Sequence, residues 1–391
     1  MNINHKLLTF LLIMFSKNIL SQSMLFENKI NFNNNFLSLQ NIEDIFTTGF
    51  LDNDFKNNIS NNLNDKNIFE SEININTSFE IKEDIYFNIE LKNQAIGKIS
   101  EDIINLGLFG NTRYLGENLN FKNDYILINR YSKVGLKKLI LKKEKEELFV
   151  TPNILIGHQF FEYNIEEGEL MTSANGDFID YTIKAQSHSS EMTNFNSLKV
   201  NGIGLGLDIY YYKQIKNNDI KVSIEDIGVI KWNRNVENYT ADTICYFQGI
   251  VIDDIFEIND SILNNSIDNL NSNYQSNQNK YSLKLPFKIN AILKRNINIR
   301  SLDFIKLKIK HQPAIYQNPE FSGLLGCNFK NNYLEFGLKY GVAKRVSFVL
   351  DINIKCKKFE FYFKTNNLEN IINLEQSYGM SLMSGLKINL K

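Results

Sequence analysis

Apolar and polar residues trade places at every second position along most of this chain, and this rhythm limits the fold more than any other feature. Ile73, Ile75, Phe79 and Ile81 alternate with Asn74, Asn76, Ser78 and Glu80, and Ile85, Phe87, Ile89 and Leu91 alternate with Tyr86, Asn88, Glu90 and Lys92. The pattern returns in Ile203–Tyr211, in Ile305, Leu307 and Ile309, in Leu334–Tyr340 and in Leu382–Leu390. Successive strand side chains point to opposite faces, so each segment reads as a β-strand with one apolar and one polar face. Several run about 8 to 11 residues, the length that a tilted membrane-spanning strand needs. Lys82-Glu83-Asp84, Lys330-Asn331-Asn332 and Gly341–Arg345 separate successive strands. Such short connections make antiparallel neighbours. Strands do not alternate with long helical patterns, which disfavours a parallel α/β sheet.

Two architectures accept these strands. In an antiparallel transmembrane β-barrel the apolar face meets lipid and the polar face lines the lumen. In a soluble exported β-sandwich, an adhesin or binding module, the apolar face meets a second sheet. The polar face mixes glycine with charge, as in Gly202, Gly204, Gly206 and Asp208, which suits a crowded or wet barrel interior. Closure also removes exposed strand edges. Phe160 and Phe161, Tyr210–Tyr212, Tyr246 and Phe247, and Phe361–Phe363 cluster near strand ends, as interfacial girdles do. The fold expected is therefore an all-β transmembrane barrel of roughly 12 to 16 strands, with one or two short helices in its loops. The alternation breaks at residues 51–68 and 253–280, which read as helix plus loop. The charged run within Leu136–Leu148 reads as a solvated turn.

Composition enters as a set of exclusions. There are 43 Lys+Arg and 44 Asp+Glu, a net charge of −1, so the concentrated positive charge of a nucleic-acid binder is missing. The 58 asparagines disfavour a helix-rich protein. Cys245, Cys327 and Cys356 are odd in number and far apart, which argues against a disulfide framework. His5, His158, His188 and His311 are dispersed and form no zinc-ligand pattern with them. At the start, Met1–Lys6 is basic, Leu7–Phe15 is almost wholly apolar, and small polar residues follow. Residues 1–22 read as a secretory signal peptide, because that apolar core falls short of the ~20 residues of a spanning helix. Residues 23–391 then form a single exported barrel domain.

Val222–Trp232 (VSIEDIGVIKW) is the most distinctive block. It is accompanied, in order, by Gly110-Asn111, Tyr131 with Gly135, and Leu285-Pro286. Together these resemble an uncharacterised Bacteroidota family of predicted outer-membrane β-barrel proteins, known only as a domain of unknown function. That family carries an Asp-Leu-Gly-x-Ile-x-Trp block, matched here by Asp226, Ile227, Gly228, Ile230 and Trp232, with Ile227 where Leu is usual. The resemblance runs from about Leu51 to the end. It implies a cell-envelope barrel in the outer membrane and no particular activity.

Asp226 and Gly228 fall where the alternation slips, and a glycine there permits a bulge or tight bend. Trp232, the single tryptophan, is placed to anchor at a membrane interface. A ligand-binding aromatic is the alternative, disfavoured because no polar set converges around it. Lys306, Lys308 and Lys310 form a basic row facing the lumen, suited to attracting anions. The blander reading is a solvated face balanced by Glu80, Glu90 or Asp208, and the neutral net charge favours it. Gly202-x-Gly204-x-Gly206 continues as a strand with Leu207 and is no dinucleotide fingerprint. No phosphate loop, metalloprotease or serine-hydrolase motif occurs, so no catalytic, cofactor-binding or metal-binding residue is assigned. The expectation is a non-enzymatic barrel that transports a small or hydrophobic solute, or an envelope scaffold for protein export. Its partners would be outer-membrane lipid and envelope or secretion-system proteins, not nucleic acid.

Overall fold

Alternating side chains commit each segment to two unlike surroundings, and the strands resolve this by closing on themselves. The structure, a computed structural model, describes residues 22–48, 51–190, 198–248, 274–299, 301–341, 345–371 and 377–390. The expected signal segment lies outside the described residues, apart from Gln22, as do residues 253–273 of the second helix-and-loop segment.

In chain order the strands are β1 (Ser23–Asn34), β2 (Lys66–Lys82), β3 (Ile85–Ser100), β4 (Asn118–Asn120), β5 (Asp124–Lys143) and β6 (Glu146–Thr172). Then come β7 (Ile179–Ser190), β8 (Gly202–Ile215), β9 (Asn218–Trp232), β10 (Val236–Phe247), β11 (Tyr274–Asn277), β12 (Tyr281–Lys284) and β13 (Lys288–Ile299). The last are β14 (Leu302–His311), β15 (Glu320–Phe329), β16 (Asn332–Tyr340), β17 (Val346–Cys356), β18 (Phe359–Thr365) and β19 (Gly379–Asn389). Three short α-helices lie among the described residues: α1 (Leu39–Thr48), α2 (Asn53–Asn61) and α3 (Glu101–Phe109).

A closed ring of 14 antiparallel strands runs β1-β2-β3-β5-β6-β8-β9-β13 and on through β19, which pairs back onto β1. The strand number falls inside the expected range. Glu83-Asp84, Glu144-Lys145, Lys216-Asn217, Lys330-Asn331 and Lys357-Lys358 are two-residue turns at one end, where Ser23 also meets Asn389. Asp84, Lys216, Lys330 and Lys357 take positive φ, as tight hairpins that follow strand twist require. The other end carries the long connections and the helices. It is called the loop end below, and its opposite the turn end.

Residues 51–68 hold α2, capped by Asp52, which accepts from the Phe55 amide at 2.8 Å, and then the first residues of β2. Within 253–280, Tyr274–Asn277 is a strand on β10 rather than helix or loop. The polar composition there suited a turn, but the edge of β10 offers backbone partners.

Outside the ring, Ile203, Leu205, Ile305, Leu307, Phe336 and Leu338 stand exposed. Inside, the alternate positions carry Asn, Glu, Lys and Gly. Not all aromatic clusters form girdles. Phe361 and Phe363 face outward with Phe359, but Phe160 is fully buried and Tyr210 lines an internal cavity. Tyr246 sits on β10, which belongs to no ring ladder.

β5 and β6 overshoot the ring at the loop end. β6 has 27 residues, far more than an apolar band of about 25 Å requires at ~3.3 Å per residue. Its first half pairs with β8 in the ring; its second half pairs with β7, and β7 with β10. This raised sheet has its own small core of Leu119, Phe121, Ile165 and Ala185, against which α3 packs Ile103 and Leu106.

Candidate functional site

The lumen is the only setting in which the polar rows of all ring strands meet. Its contents differ between the two ends. At mid-height β9 carries a bulge: Leu207 pairs with Ile227 but Ile209 pairs with Ile224, so Asp208 faces two residues of β9. Asp226 holds φ 65° there. The slip expected near Gly228 is therefore made by Asp226, since Asp is among the few non-glycine residues enriched at positive φ. Gly228 serves close approach instead: a Cβ would lie 2.9 Å from Leu155 and from the Leu205 carbonyl.

The bulge turns both Glu225 and Asp226 inward and inverts the phase beyond. Ile220, Val222 and Ile224 alternate with lumen residues below it; above it, Asp226, Gly228, Ile230 and Trp232 share the inner face. Trp232 is thus not an interface anchor. It is 0% exposed, deep in the loop-end half of the lumen. Its ring lies 4.5 Å from that of Phe160, which stacks on Tyr281 at 5.5 Å, and Tyr281 stacks on His188 at 4.0 Å. Gly157 makes the room, because a Cβ there would meet the indole at 2.6 Å. Ile96, Leu127, Leu155, Ile230, Leu283 and Ile315 complete this apolar core. Two of its contributors, Leu283 and Ile315, come from β12 and the β14–β15 connection, so loop-end segments fold into the ring.

Beneath the apolar core a lattice of charges crosses the lumen. Asp226 accepts from Lys92 at 2.5 Å, from Lys133 at 3.0 Å and from the Tyr131 hydroxyl at 3.2 Å, while its amide donates to Asp208 at 2.8 Å. Lys133 also meets Glu90 at 2.9 Å and Asp208 at 3.2 Å. Glu72 accepts from Lys29 at 3.0 Å and from Lys288, and lies 3.9 Å from Lys92. Glu70 meets Lys288 at 3.4 Å and Lys310 at 3.5 Å and accepts the Tyr316 hydroxyl at 2.7 Å. Five lysines (29, 92, 133, 288 and 310) thus face five carboxylates (70, 72, 90, 208 and 226) on eight ring strands. Equal numbers matter, because a buried charge is tolerable only when paired.

Beside the lattice and toward the turn end the packing opens. Two adjoining cavities of about 440 Å³ and 250 Å³ share Glu27, Asn74, Ser223 and Glu225 on their walls. Lys308 and Lys310 of the basic row line this space, with Ile305, Leu307 and Ile309 outside. Its lysines are not equivalent. Lys306 is paired with Glu335 and Lys310 with Glu70, whereas Lys308 has no carboxylate within ion-pair distance among the described residues. The balancing acids differ from those expected. Glu90 and Asp208 pair with Lys133 instead, and Glu80 accepts the Ser23 hydroxyl at 2.7 Å.

Glu70, Glu72, Lys92, Lys133 and Lys288 were not singled out by sequence. The signal present was an ionisable residue in each polar row. The partners depend on which rows face each other across a closed ring. Among the described residues no three His, Cys, Asp or Glu side chains group as a metal site.

The fold and its lumen define a class: a closed antiparallel β-barrel with an apolar outer face and charged and aromatic side chains packed inside. A family model described as a family of unknown function (DUF5723) matches residues 15–366, and the chain belongs to that family. No curated protein matches it. Among solved structures it is similar to the toluene transporter TodX of P. putida, at 9% identity over 96% of this chain and 89% of that one, with a TM-score of 0.37. The Ralstonia pickettii toluene transporter TbuX gives 8% identity over 95% and 90%, with a TM-score of 0.39. The translocator domain of the autotransporter NalP from Neisseria meningitidis gives 7% over 99% and 95%, with a TM-score of 0.32. At these values the likeness is one of general form.

Proposed function

We propose that this protein is an outer-membrane β-barrel acting as a closed envelope scaffold rather than a standing pore. The observation that carries the reading is the loop-end half of the lumen, filled by a neutral charge lattice under an apolar core. An open diffusion channel needs a continuous wet path, and buried aromatics stacked across the lumen oppose one. Outer-membrane barrels turn their short connections to the periplasm and their longer loops outward. On that rule the raised β6–β7–β10 sheet stands outside the cell. It presents Ile244 and Tyr246 on β10 beyond the stretch that β11 covers, where envelope or secretion-system proteins would dock. The Ile, Leu and Phe of the outer face support lipid as the surrounding medium.

A second reading is passage of a small solute. It is favoured by the two lumen cavities, and it would require the lattice to part. Planar-bilayer recording of the full chain, refolded in detergent, separates the two. The scaffold reading expects insertion without steady conductance steps. Reproducible open-channel steps in wild-type protein would overturn it. Membrane placement has its own check: the protein should stay with membranes through an alkaline wash, and release into the aqueous phase would refute it.

A further inference from the structure

The 440 Å³ cavity is walled unequally. Its β14, β16 and β18 side carries Lys308, Lys310, Lys339 and Lys364, while β15 and β17 between them contribute Glu320 and Asp351. The facing wall adds Lys29 and Lys288 against Glu27, Glu72 and Glu225. Positive charge therefore exceeds negative on the first wall, and the excess can be traced to one residue. Lys310 is held by Glu70 at 3.5 Å, Lys339 by Glu320 at 3.7 Å and Lys364 by Asp351 at 3.5 Å. Lys306, at the turn end of the row, is held by Glu335. Lys308 has no acidic partner within ion-pair distance among the described residues; the charges that act on it are Lys364, Lys306 and, more weakly, Asp351, whose carboxylate already holds Lys364. It lies directly opposite Ser322 in the β14–β15 ladder, and Ser322 also lines the cavity.

An ammonium beside other ammoniums, in a space partly shielded from water, lacks its counter-charge. Each of the other lysines on this cavity's wall has one. We propose that Lys308, with Lys364 and the Ser322 hydroxyl, forms a site for a small oxyanion, the phosphate or carboxylate group of a solute. The ligand would supply the missing negative charge. Lys308 would give the charge-assisted hydrogen bond, and Ser322 a neutral donor that orients the anion. Lysine suits this role as a compact point charge with rotatable donors. The cavity volume sets the upper size of what the oxyanion is attached to. The site does not depend on whether the barrel conducts, so it stands or falls separately from the scaffold reading.

The test is titration calorimetry on the refolded full chain with inorganic phosphate and, separately, with acetate, at matched ionic strength. Saturable one-to-one binding of either is expected, weakening as salt is raised. Lys308→Met should weaken it by about ten- to hundredfold, the loss of one charged hydrogen bond. Lys308→Arg should retain most of it. Lys137→Met, a lysine at the second cavity, should leave it unchanged. Heat-modifiable migration on a gel reports that each variant is folded. Preference for phosphate or for acetate tells which oxyanion the site takes. Binding of neither, or undiminished binding in Lys308→Met, overturns the proposal.

Discussion

Replacing Asp226 with Asn removes one charge from the centre of the lattice while keeping the side chain's size. Asn also tolerates the positive φ of this bulge, so backbone strain does not confuse the result. Two lysines lose their shortest or second-shortest partner. Lys133 keeps Glu90 at 2.9 Å and Asp208 at 3.2 Å, and is well served. Lys92 keeps only Glu90 at 3.5 Å and Glu72 at 3.9 Å, and both acids are shared. Stripping one partner from a buried pair costs about 3–5 kcal/mol, and the remaining acids place this case near the lower figure, about 3 kcal/mol. The readout is built in. Trp232 is the sole tryptophan and is packed just above the lattice, so its fluorescence follows denaturant unfolding in lipid vesicles. Adding Lys92→Met to Asp226→Asn removes the stranded cation, so the double variant should lose clearly less than the two single losses combined. An Asp226→Asn protein within about 0.5 kcal/mol of wild type would refute the view that the lattice is held by charge pairing.

The same unfolding assay serves three further variants. Lys288→Met, which takes the shared cation from Glu70 and Glu72 and leaves them Lys310 and Lys29, should destabilise by about 3 kcal/mol, whereas Lys308→Met should be neutral or stabilising; equal losses would show that pairing does not distinguish them. Gly157→Ala places a methyl against the Trp232 ring and should cost about 1–3 kcal/mol with a red-shifted emission; unchanged emission would mean the indole is not confined there. Phe336 stands outward, 51% exposed, at the middle of the nine-residue β16, so Phe336→Arg should cost about 2–4 kcal/mol in lipid if that face meets the bilayer midplane. A neutral result would place β16 in water.

What the sequence disclosed was whatever a period of two can carry. Ile305, Leu307 and Ile309 fall outside and Lys306, Lys308 and Lys310 inside, as the alternation says. The Lys82–Asp84 and Lys330–Asn332 turns join the strands they were expected to join. The slip at Asp226 was visible as well, but not its effect. A bulge moves every later residue to the other face, so Trp232 exchanged a lipid boundary for the interior. Phe160 likewise lies beyond a register shift, at Arg130/Tyr131 on the β5–β6 ladder, and it too is inside. The lattice was out of reach for a different reason. Lys92 meets Asp226, and Lys288 meets Glu72, across a lumen whose facing rows depend on strand order and stagger around the whole ring. Local pattern specifies a face; it does not specify who stands opposite.

The seam between β1 and β19 has a consequence for the order of assembly. Ser23 through Asn33 pair with Asn389 back to Gly379, and Tyr362 on the neighbouring strand donates to Glu27, 335 residues away in the chain. Contacts of such separation form last, because a long loop must be closed before they give anything in return. Until then β1 and β19 are both bare edges, each a template for another chain. Neighbouring hairpins can zip early and locally, but the ring stays a curled, sticky ribbon until its two ends find each other. Time spent in that state would set the yield of properly inserted protein. A β19 that pairs poorly would show as aggregation in transit rather than as a weakened barrel.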